Sequence, residues 1–93
     1  MVRLRRGRVE IILSILEAAL TGDKKTNIMY RANLSYRTFN FWFKRLLEAG
    51  FLESYEDSDG DKAYRTSDAG KALLKMGRGF YDLLDRIITS EGR

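Results

Sequence analysis

Side chains that donate hydrogen bonds recur every three or four residues in the middle of the sequence. Arg37, Asn40 and Lys44 follow this spacing, so on an α-helix, at roughly 100° per residue, they share one face. A guanidinium can fork onto guanine or a phosphate, an amide can pair with adenine in the major groove, and an ammonium meets backbone phosphate. This face therefore predicts recognition of nucleic acid.

The helix that positions these groups is predicted over residues 36–49, with an apolar side for burial. Ser35 is a good N-cap, and Gly50 stands where a left-handed residue can end the helix. The apolar side holds Phe39, Trp42, Phe43, Leu46 and Leu47. Phe41 falls within the polar side, and three interpretations stay open: contact with a thymine methyl, packing on another subunit or the N-terminal arm, or a rotated helix that partly buries it.

Residue types that the chain lacks argue against an enzyme. The 93 residues contain no cysteine and no histidine, which excludes disulfides, cysteine zinc sites and the usual general base near neutral pH. No nucleophile–base pair or metal cluster stands out either. We therefore expect a non-enzymatic protein that needs no cofactor and no metal.

Charge is separated along the chain, although the net charge is only +4. Residues 1–8 contain four arginines and no acid, residues 23–45 contain six basic residues and one acid, and residues 48–61 contain six acids and no base. This separation predicts an oriented field with one positive face; the alternative is a solvated surface on which charges cluster. Arg3, Arg5 and Arg6 of the N-terminal arm can enter a minor groove or lie along phosphates, or else form a solubilising tail.

The order of the predicted elements indicates an α+β fold that is mainly α. Helices are predicted over residues 8–20, 26–32 and 36–49, then a β-hairpin of strands 51–55 and 62–66, then a last helix over 68–89. Gly22 is expected to end the first helix, and Thr66 or Ser67 to cap the last. This order matches a winged helix-turn-helix. The expected organisation is a flexible basic arm (1–7), the winged helix-turn-helix (8–67) and a C-terminal dimerisation helix (68–93).

The hairpin, or wing, differs from a wing that binds DNA, which is expected to have lysine or arginine at its tip. Its tip, residues 56–61, contains four acids that phosphates would repel, so we expect the tip not to contact DNA. Lys62 and Arg65 on the returning strand are the basic candidates nearby. The acids around Gly60 lack the full calcium-loop pattern, so no calcium site is expected.

An apolar seam runs along the last helix and predicts a partner surface. Its members are Leu73, Met76, Phe80, Leu83 and Ile87, with Leu84 beside them. So small a domain has little left to cover the distal half of this seam, which predicts a homodimer. The alternative is that all the apolar residues of this helix pack against the core of their own subunit. Gly77 and Gly79 can kink the helix or let two helices approach closely.

The segment over residues 26–36 reads TNIMYRANLSY and resembles the IMYxANLSY motif of small archaeal winged-helix proteins, typified by the ten-kilodalton DNA-binding proteins of Sulfolobus. The similarity continues through LLEAGFLE (46–53) and TSDAGKALL (66–74), so it covers most of the chain. It implies DNA as ligand and a dimer joined by the C-terminal helices in an antiparallel coiled coil. By position, the recognition helix of that family falls on residues 35–49, which favours Ser35, Tyr36, Arg37, Asn40 and Lys44 as DNA-facing residues.

Together these observations predict a homodimer that binds double-stranded DNA as a transcription regulator or chromatin-associated protein. The alternative is a winged helix that joins a transcription or replication assembly through its acidic wing and last helix; RNA binding is a third option. No apolar run reaches the roughly 20 residues of a membrane span, so no membrane partner is expected. The expected location is the cytoplasm, in association with the nucleoid.

Overall fold

A computed structural model describes residues 7–91 of the chain, with side chains through residue 89. The element order is α1 (Arg8–Ala18), α2 (Lys25–Ala32), α3 (Tyr36–Glu48), β1 (Leu52–Glu56), β2 (Lys62–Thr66) and α4 (Asp68–Glu91). The predicted mainly helical winged helix-turn-helix, with its long C-terminal helix, is confirmed. The predicted ends of the elements differ from these by at most two residues.

Helix α1 ends at Ala18, two residues before its predicted end, because other elements take up its last carbonyls. The Arg31 guanidinium of α2 donates to the carbonyl of Ala18 at 2.6 Å, and the backbone N–H of Thr66 donates to that of Ala19 at 3.0 Å. Gly22 then turns the chain with φ of +86°, as predicted for the residue that ends this segment. Arg31 therefore stabilises the fold directly.

The turn between α2 and α3 sets the direction of α3. Asn33 adopts the left-handed conformation (φ +58°), which asparagine tolerates better than most residues. Ser35 then caps α3 as predicted, since its Oγ accepts from the N–H of Thr38 at 3.4 Å. Below the turn, Ile28 and Ala32 are buried against the core. The start of α3 is thus held by a cap and by the packing of α2.

The inner face of α3 contributes aromatic rings to the core, as its pattern predicted. Phe39 and Phe43 are fully buried, with ring centroids 5.0 Å apart, and the edge-on ring of Tyr64 from β2 lies 4.8 Å from Phe43. They pack with Ile15 and Leu16 of α1. Because these rings are buried in the core, the opposite face of α3 is the one that is exposed to water.

The wing is an antiparallel pair in which Leu52 faces Thr66 and Glu56 faces Lys62. A short bridge that the sequence did not predict joins Asp23 to Tyr64 by two backbone hydrogen bonds of 3.0 and 2.9 Å. The bridge ties the turn after α1 to the wing. The hairpin is therefore attached to the helical core along its inner edge.

Helix α4 starts against the core and then leaves it. The Oγ of Ser67 accepts from the N–H of Gly70 at 3.1 Å, so Ser67, one of the two predicted candidates, caps the helix. The hydroxyl of Thr66, the other candidate, donates to the carbonyl of Leu16 instead. Leu74 is buried, and Gly77 lies so close to Leu13 of α1 that a methyl group there would be 2.7 Å from it. Gly77 thus allows a close approach of helices within the subunit. Within residues 7–91, no helix has both the length and the apolarity that crossing a bilayer requires.

Two glycines of α4 give a matched test of this packing. We expect Gly70→Ala to destabilise the protein by about 1–2 kcal/mol, because the new methyl group would overlap the backbone oxygen of Phe51 and the methyl of Thr66. Gly79→Ala meets nothing within 4 Å and should stabilise the helix by about 1 kcal/mol at most. Urea unfolding of both variants checks this, and an unchanged or raised stability of Gly70→Ala would contradict it.

Candidate nucleic-acid interface

The outer face of α3 presents the predicted polar residues. Arg37 and Lys44 are exposed, and neither makes an ion pair with any residue between 7 and 91. Tyr36 is also exposed. Ser35 is exposed, but its oxygen is occupied in the cap. The shallow surface that these side chains form is lined by Tyr36, Arg37, Asn40, Phe41, Lys44 and Arg45.

Asn40 differs from the others because it already has a partner. It is half-buried, and its Oδ1 accepts a hydrogen bond from the Nζ of Lys25 at 2.9 Å. The same ammonium lies 5.0 Å from the ring centroid of Phe43. The bond points the Nδ2 donors of Asn40 away from Lys25, so a pairing with adenine must share Oδ1 with this lysine.

Lys25 is a residue of this surface that the sequence analysis missed. It opens α2, fifteen positions before Asn40, and the fold brings its ammonium to the edge of the α3 face. No spacing rule connects two positions so far apart on different helices. The one available signal was membership of the basic run over residues 23–45.

Phe41 projects from this face, and one of its sides is covered by a cation. The ring is 46% exposed, while the guanidinium of Arg45 lies 3.5 Å from its centroid and donates to the Phe41 carbonyl at 2.9 Å. Trp42 makes an edge-on contact with it, at 4.9 Å between centroids. Because Phe39 and Phe43 are buried as predicted, the interpretation of a rotated helix is wrong.

The two basic residues of the wing, Lys62 and Arg65, differ in whether an acid pairs with them. Arg65 pairs with Glu53 at 2.8 Å, and its guanidinium lies 4.5 Å from the ring centroid of Tyr55. Lys62 is exposed and has no such pair among the described residues. Of the two wing candidates, Lys62 is therefore the one available to a phosphate.

The acidic tip is held by contacts within the chain. One oxygen of Asp57 accepts from the N–H groups of Asp59 and Asp61, both at 2.9 Å. Asp61 pairs with Lys24 at 3.1 Å and raises the pKa of that lysine, with further contributions from the charges of Asp57 and Asp59. Oxygens of Asp57, Asp59 and Asp61 lie within 4.8 Å of one another. The contacts above give partners from the chain itself to two of these carboxylates, Asp57 and Asp61.

A second ionic cluster holds the turn after α1. Asp23 accepts from the side-chain amide of Asn27 at 2.9 Å and from the backbone N–H of Lys24 at 2.7 Å, and it also pairs with Arg31. These hydrogen bonds, that of Asn27 first, lower the pKa of Asp23. Asp23 therefore stays ionised at neutral pH, and two basic residues of the run, Lys24 and Arg31, are engaged by acids.

The predicted arm residues Arg3, Arg5 and Arg6 lie outside the described residues. On α4, the predicted seam divides into two parts. Leu73 is half-buried against the core of its own subunit, and Leu84 is also half-buried. The remaining four residues are between 56% and 71% exposed: Met76, Phe80, Leu83 and Ile87.

Comparisons with known proteins agree with this architecture. A family model described as winged helix-turn-helix matches residues 5–85. The uncharacterized protein MJ0287 of Methanocaldococcus jannaschii is 30% identical over 84 residues, which are 89% of this chain and 81% of that protein. Its source agrees with the archaeal resemblance.

Two solved structures share the fold. Sso10a-2, a DNA-binding protein from Sulfolobus solfataricus, matches with a TM-score of 0.79 and 23% identity, covering 94% of this chain and 90% of that one. The MepR–DNA complex of Staphylococcus aureus matches with a TM-score of 0.68 and 17% identity, covering 92% of this chain and 63% of that one. The predicted resemblance to the Sulfolobus proteins is confirmed, and at these identities the structures show the fold alone.

Proposed function

The chain belongs to the winged helix-turn-helix family, and from this premise we propose that it binds double-stranded DNA as a homodimer, with α3 in the major groove. Its role is that of a transcription regulator or a chromatin-associated protein, and no catalysis is involved. One observation carries the proposal: the outer face of α3 exposes Arg37 and Lys44 without an acidic partner in residues 7–91. Such a protein would be associated with the nucleoid.

The dimensions of this face suit a duplex. A helix with its side chains is about 10–12 Å across, and the major groove is about 12 Å wide. Arg37 and Lys44 are seven residues apart, or about 10 Å along the helix axis, which corresponds to about three base-pair steps of roughly 3.4 Å. Arg37 can therefore contact a base edge while Lys44 neutralises a phosphate farther along.

The other charges support the same orientation. Lys25 adds an ammonium at the α2 side of the face, beside Asn40. The wing tip has four acids and Lys24 pairs with one of them, Asp61, so the tip stays negatively charged and repels a DNA phosphate, which favours an approach to α3. Sso10a-2 is described as a DNA-binding protein and MepR has been solved with DNA, which supports DNA as the ligand here.

The outer face of α4 supports the homodimer. Helix α4 has 24 residues and is about 36 Å long, but its buried residues lie in its first half. The exposed apolar side chains beyond Gly77 would be covered by the same residues of a second copy. Two α3 helices would then reach successive turns of one duplex.

The salt dependence of DNA binding tests this function. If a dimer neutralises four phosphates, two for each subunit, log affinity falls with log salt with a slope of about −3.6, or about 100-fold between 50 and 200 mM. Fluorescence anisotropy with a labelled mixed-sequence DNA duplex measures this slope. An RNA duplex of the same sequence is the control, because its deep and narrow major groove excludes a helix.

Two results would contradict the proposal. A failure to bind duplex DNA at low salt, or an affinity that salt does not change, would favour the alternative of a winged helix that joins a protein assembly. Equal affinity for the RNA duplex would show that α3 does not enter a major groove.

A further inference from the structure

Phe41 is an apolar residue among cations on the face proposed to enter the groove. At roughly 100° per residue, Phe41 lies about 40° around the helix from Arg37 and about 60° from Lys44. It is 46% exposed, and Arg45 covers one side of its ring. A duplex that both Arg37 and Lys44 contact therefore has to meet the open side of Phe41 as well.

The charges around Phe41 determine what can cover it. Arg37, Lys44 and Arg45 line the same shallow surface as the ring, and none of them is paired with an acid in the part of the chain that the structure describes. A second copy of this chain that used the same face would bring two sets of these cations together, which is unfavourable. The partner that fits is a polyanion with an apolar group between its phosphates.

In the major groove of DNA, that apolar group is the C5-methyl of a pyrimidine. Base edges there present hydrogen-bond donors and acceptors, and thymine adds a methyl group that phenylalanine can contact. A cytosine methylated at C5 presents the same group at the same position. The guanidinium of Arg45 is positioned by its bond to the Phe41 carbonyl and stacks on one side of the ring, so the ring loses less side-chain freedom on contact than it would without this arginine.

We propose that Phe41, held by Arg45, is a specificity-determining residue that senses the C5-methyl groups of pyrimidines in the bound duplex. This inference rests on the proposed function, because it requires α3 in the major groove. It goes beyond that function by naming the group that is read. Its contribution is an apolar contact, so it should depend little on salt, whereas those of Arg37 and Lys44 should depend on it.

The test compares duplexes that differ only in methyl groups. An alternating dA-dT duplex of 24 base pairs is compared with the dA-dU duplex, and a mixed-sequence duplex with its form carrying 5-methylcytosine throughout. Burying one methyl group contributes about fourfold in affinity, so a dimer with two contacts should prefer the methylated member of a pair by about 15-fold. Preference in the first pair alone assigns the contact to thymine, and preference in both assigns it to any C5-methyl.

Variants separate Phe41 from other effects of methylation on DNA. Phe41→Ala should bind dA-dT and dA-dU duplexes equally, and Phe41→Leu, which keeps an apolar side chain, should retain part of the preference. Lys44→Ala should weaken binding to both duplexes and leave their ratio unchanged. Because Phe41 is half-exposed, we expect the variants to fold, which circular dichroism checks.

Several results would overturn the inference. Salt-dependent binding of wild-type protein to both duplexes with equal affinity would reject the methyl contact and leave the proposed function in place. A preference that persists in Phe41→Ala would assign it to the shape of the DNA. Loss of the dimer in Phe41→Ala would show that the ring packs against a second copy. No binding to any duplex would reject the function and this inference together.

Discussion

Replacing both Arg37 and Lys44 by alanine is expected to lower the affinity for duplex DNA by about 100-fold at low salt. Lys44→Ala alone should weaken binding to all sequences alike and reduce the salt slope by about 1.8, because a dimer loses two phosphate contacts. Arg37→Ala should instead relax the sequence preference, since a forked contact to guanine contributes about 1–3 kcal/mol of discrimination. Anisotropy titrations at several salt concentrations, with a panel of duplexes, measure both effects.

Arg86→Ala is the matched control for these variants. Arg86 is an exposed arginine of α4, so its removal changes the net charge as Arg37→Ala does, but on a different helix from the outer face of α3. We expect it to lower the affinity by less than a few-fold. If Arg37→Ala and Lys44→Ala left the affinity unchanged, or had no more effect than Arg86→Ala, α3 would not be the recognition helix.

Placing a charge in the exposed apolar seam of α4 is expected to convert the proposed dimer into a monomer. Leu83→Lys would put an ammonium where two apolar faces meet, and burying an unpaired charge costs several kcal/mol. Each exposed side chain of the seam that a partner covers contributes on the order of 1 kcal/mol to the free energy of association. The cost of burying the charge exceeds the contribution of several such side chains, so the two chains should separate. Sedimentation should give twice the chain mass of 10.8 kDa for the wild type and a single chain mass for the variant.

Asp82→Lys introduces the same side chain one residue away and outside the seam. Asp82 lines a groove with Lys75 and Arg78, on a different side of α4 from Met76 and Phe80. We expect this control to remain a dimer. A dimeric Leu83→Lys would contradict the assignment of the interface, and a monomeric wild type would favour the alternative in which the stripe serves its own subunit.

Loss of the dimer should also weaken DNA binding. A monomer places one α3 in the groove, so its salt slope should fall to about half that of the dimer. The isolated winged helix should remain folded, because its buried residues up to Leu74 lie within one chain. The two effects are distinguishable, since Leu83→Lys changes both mass and affinity whereas Lys44→Ala changes affinity alone.

Residue spacing and capping rules were sufficient to predict the helices and strands and the buried and exposed faces of α3. The three-and-four spacing predicted that Phe39, Phe43 and Leu46 are buried and that Arg37 and Lys44 are exposed, as the structure shows. Ser35 was recognisable as a cap, and Ser67 as one of two candidates, because a hydroxyl accepts from an amide three residues later. Such contacts connect positions within about one helical turn, so the sequence contains all the information they need.

Contacts between distant positions were outside the reach of these rules. The hydrogen bond from Lys25 to Asn40, the capping of Ala18 by Arg31 and the bridge between Asp23 and Tyr64 each depend on how the helices and the wing pack. The same packing turned Leu73 toward its own core and left Met76 exposed, although both belong to one apolar seam.

The sequence alone therefore determined the order of the elements, the exposed face of α3 and the acidic character of the wing tip. The tertiary structure decided which basic side chains are available to a ligand. Arg31, Arg65 and Lys24 pair with acids of the same chain, whereas Arg37, Lys44 and Lys62 form no ion pair among the residues that the structure describes. The reason is physical: an ion pair depends on the distance between two charges in space, and charges far apart along the chain become neighbours only when the whole domain packs.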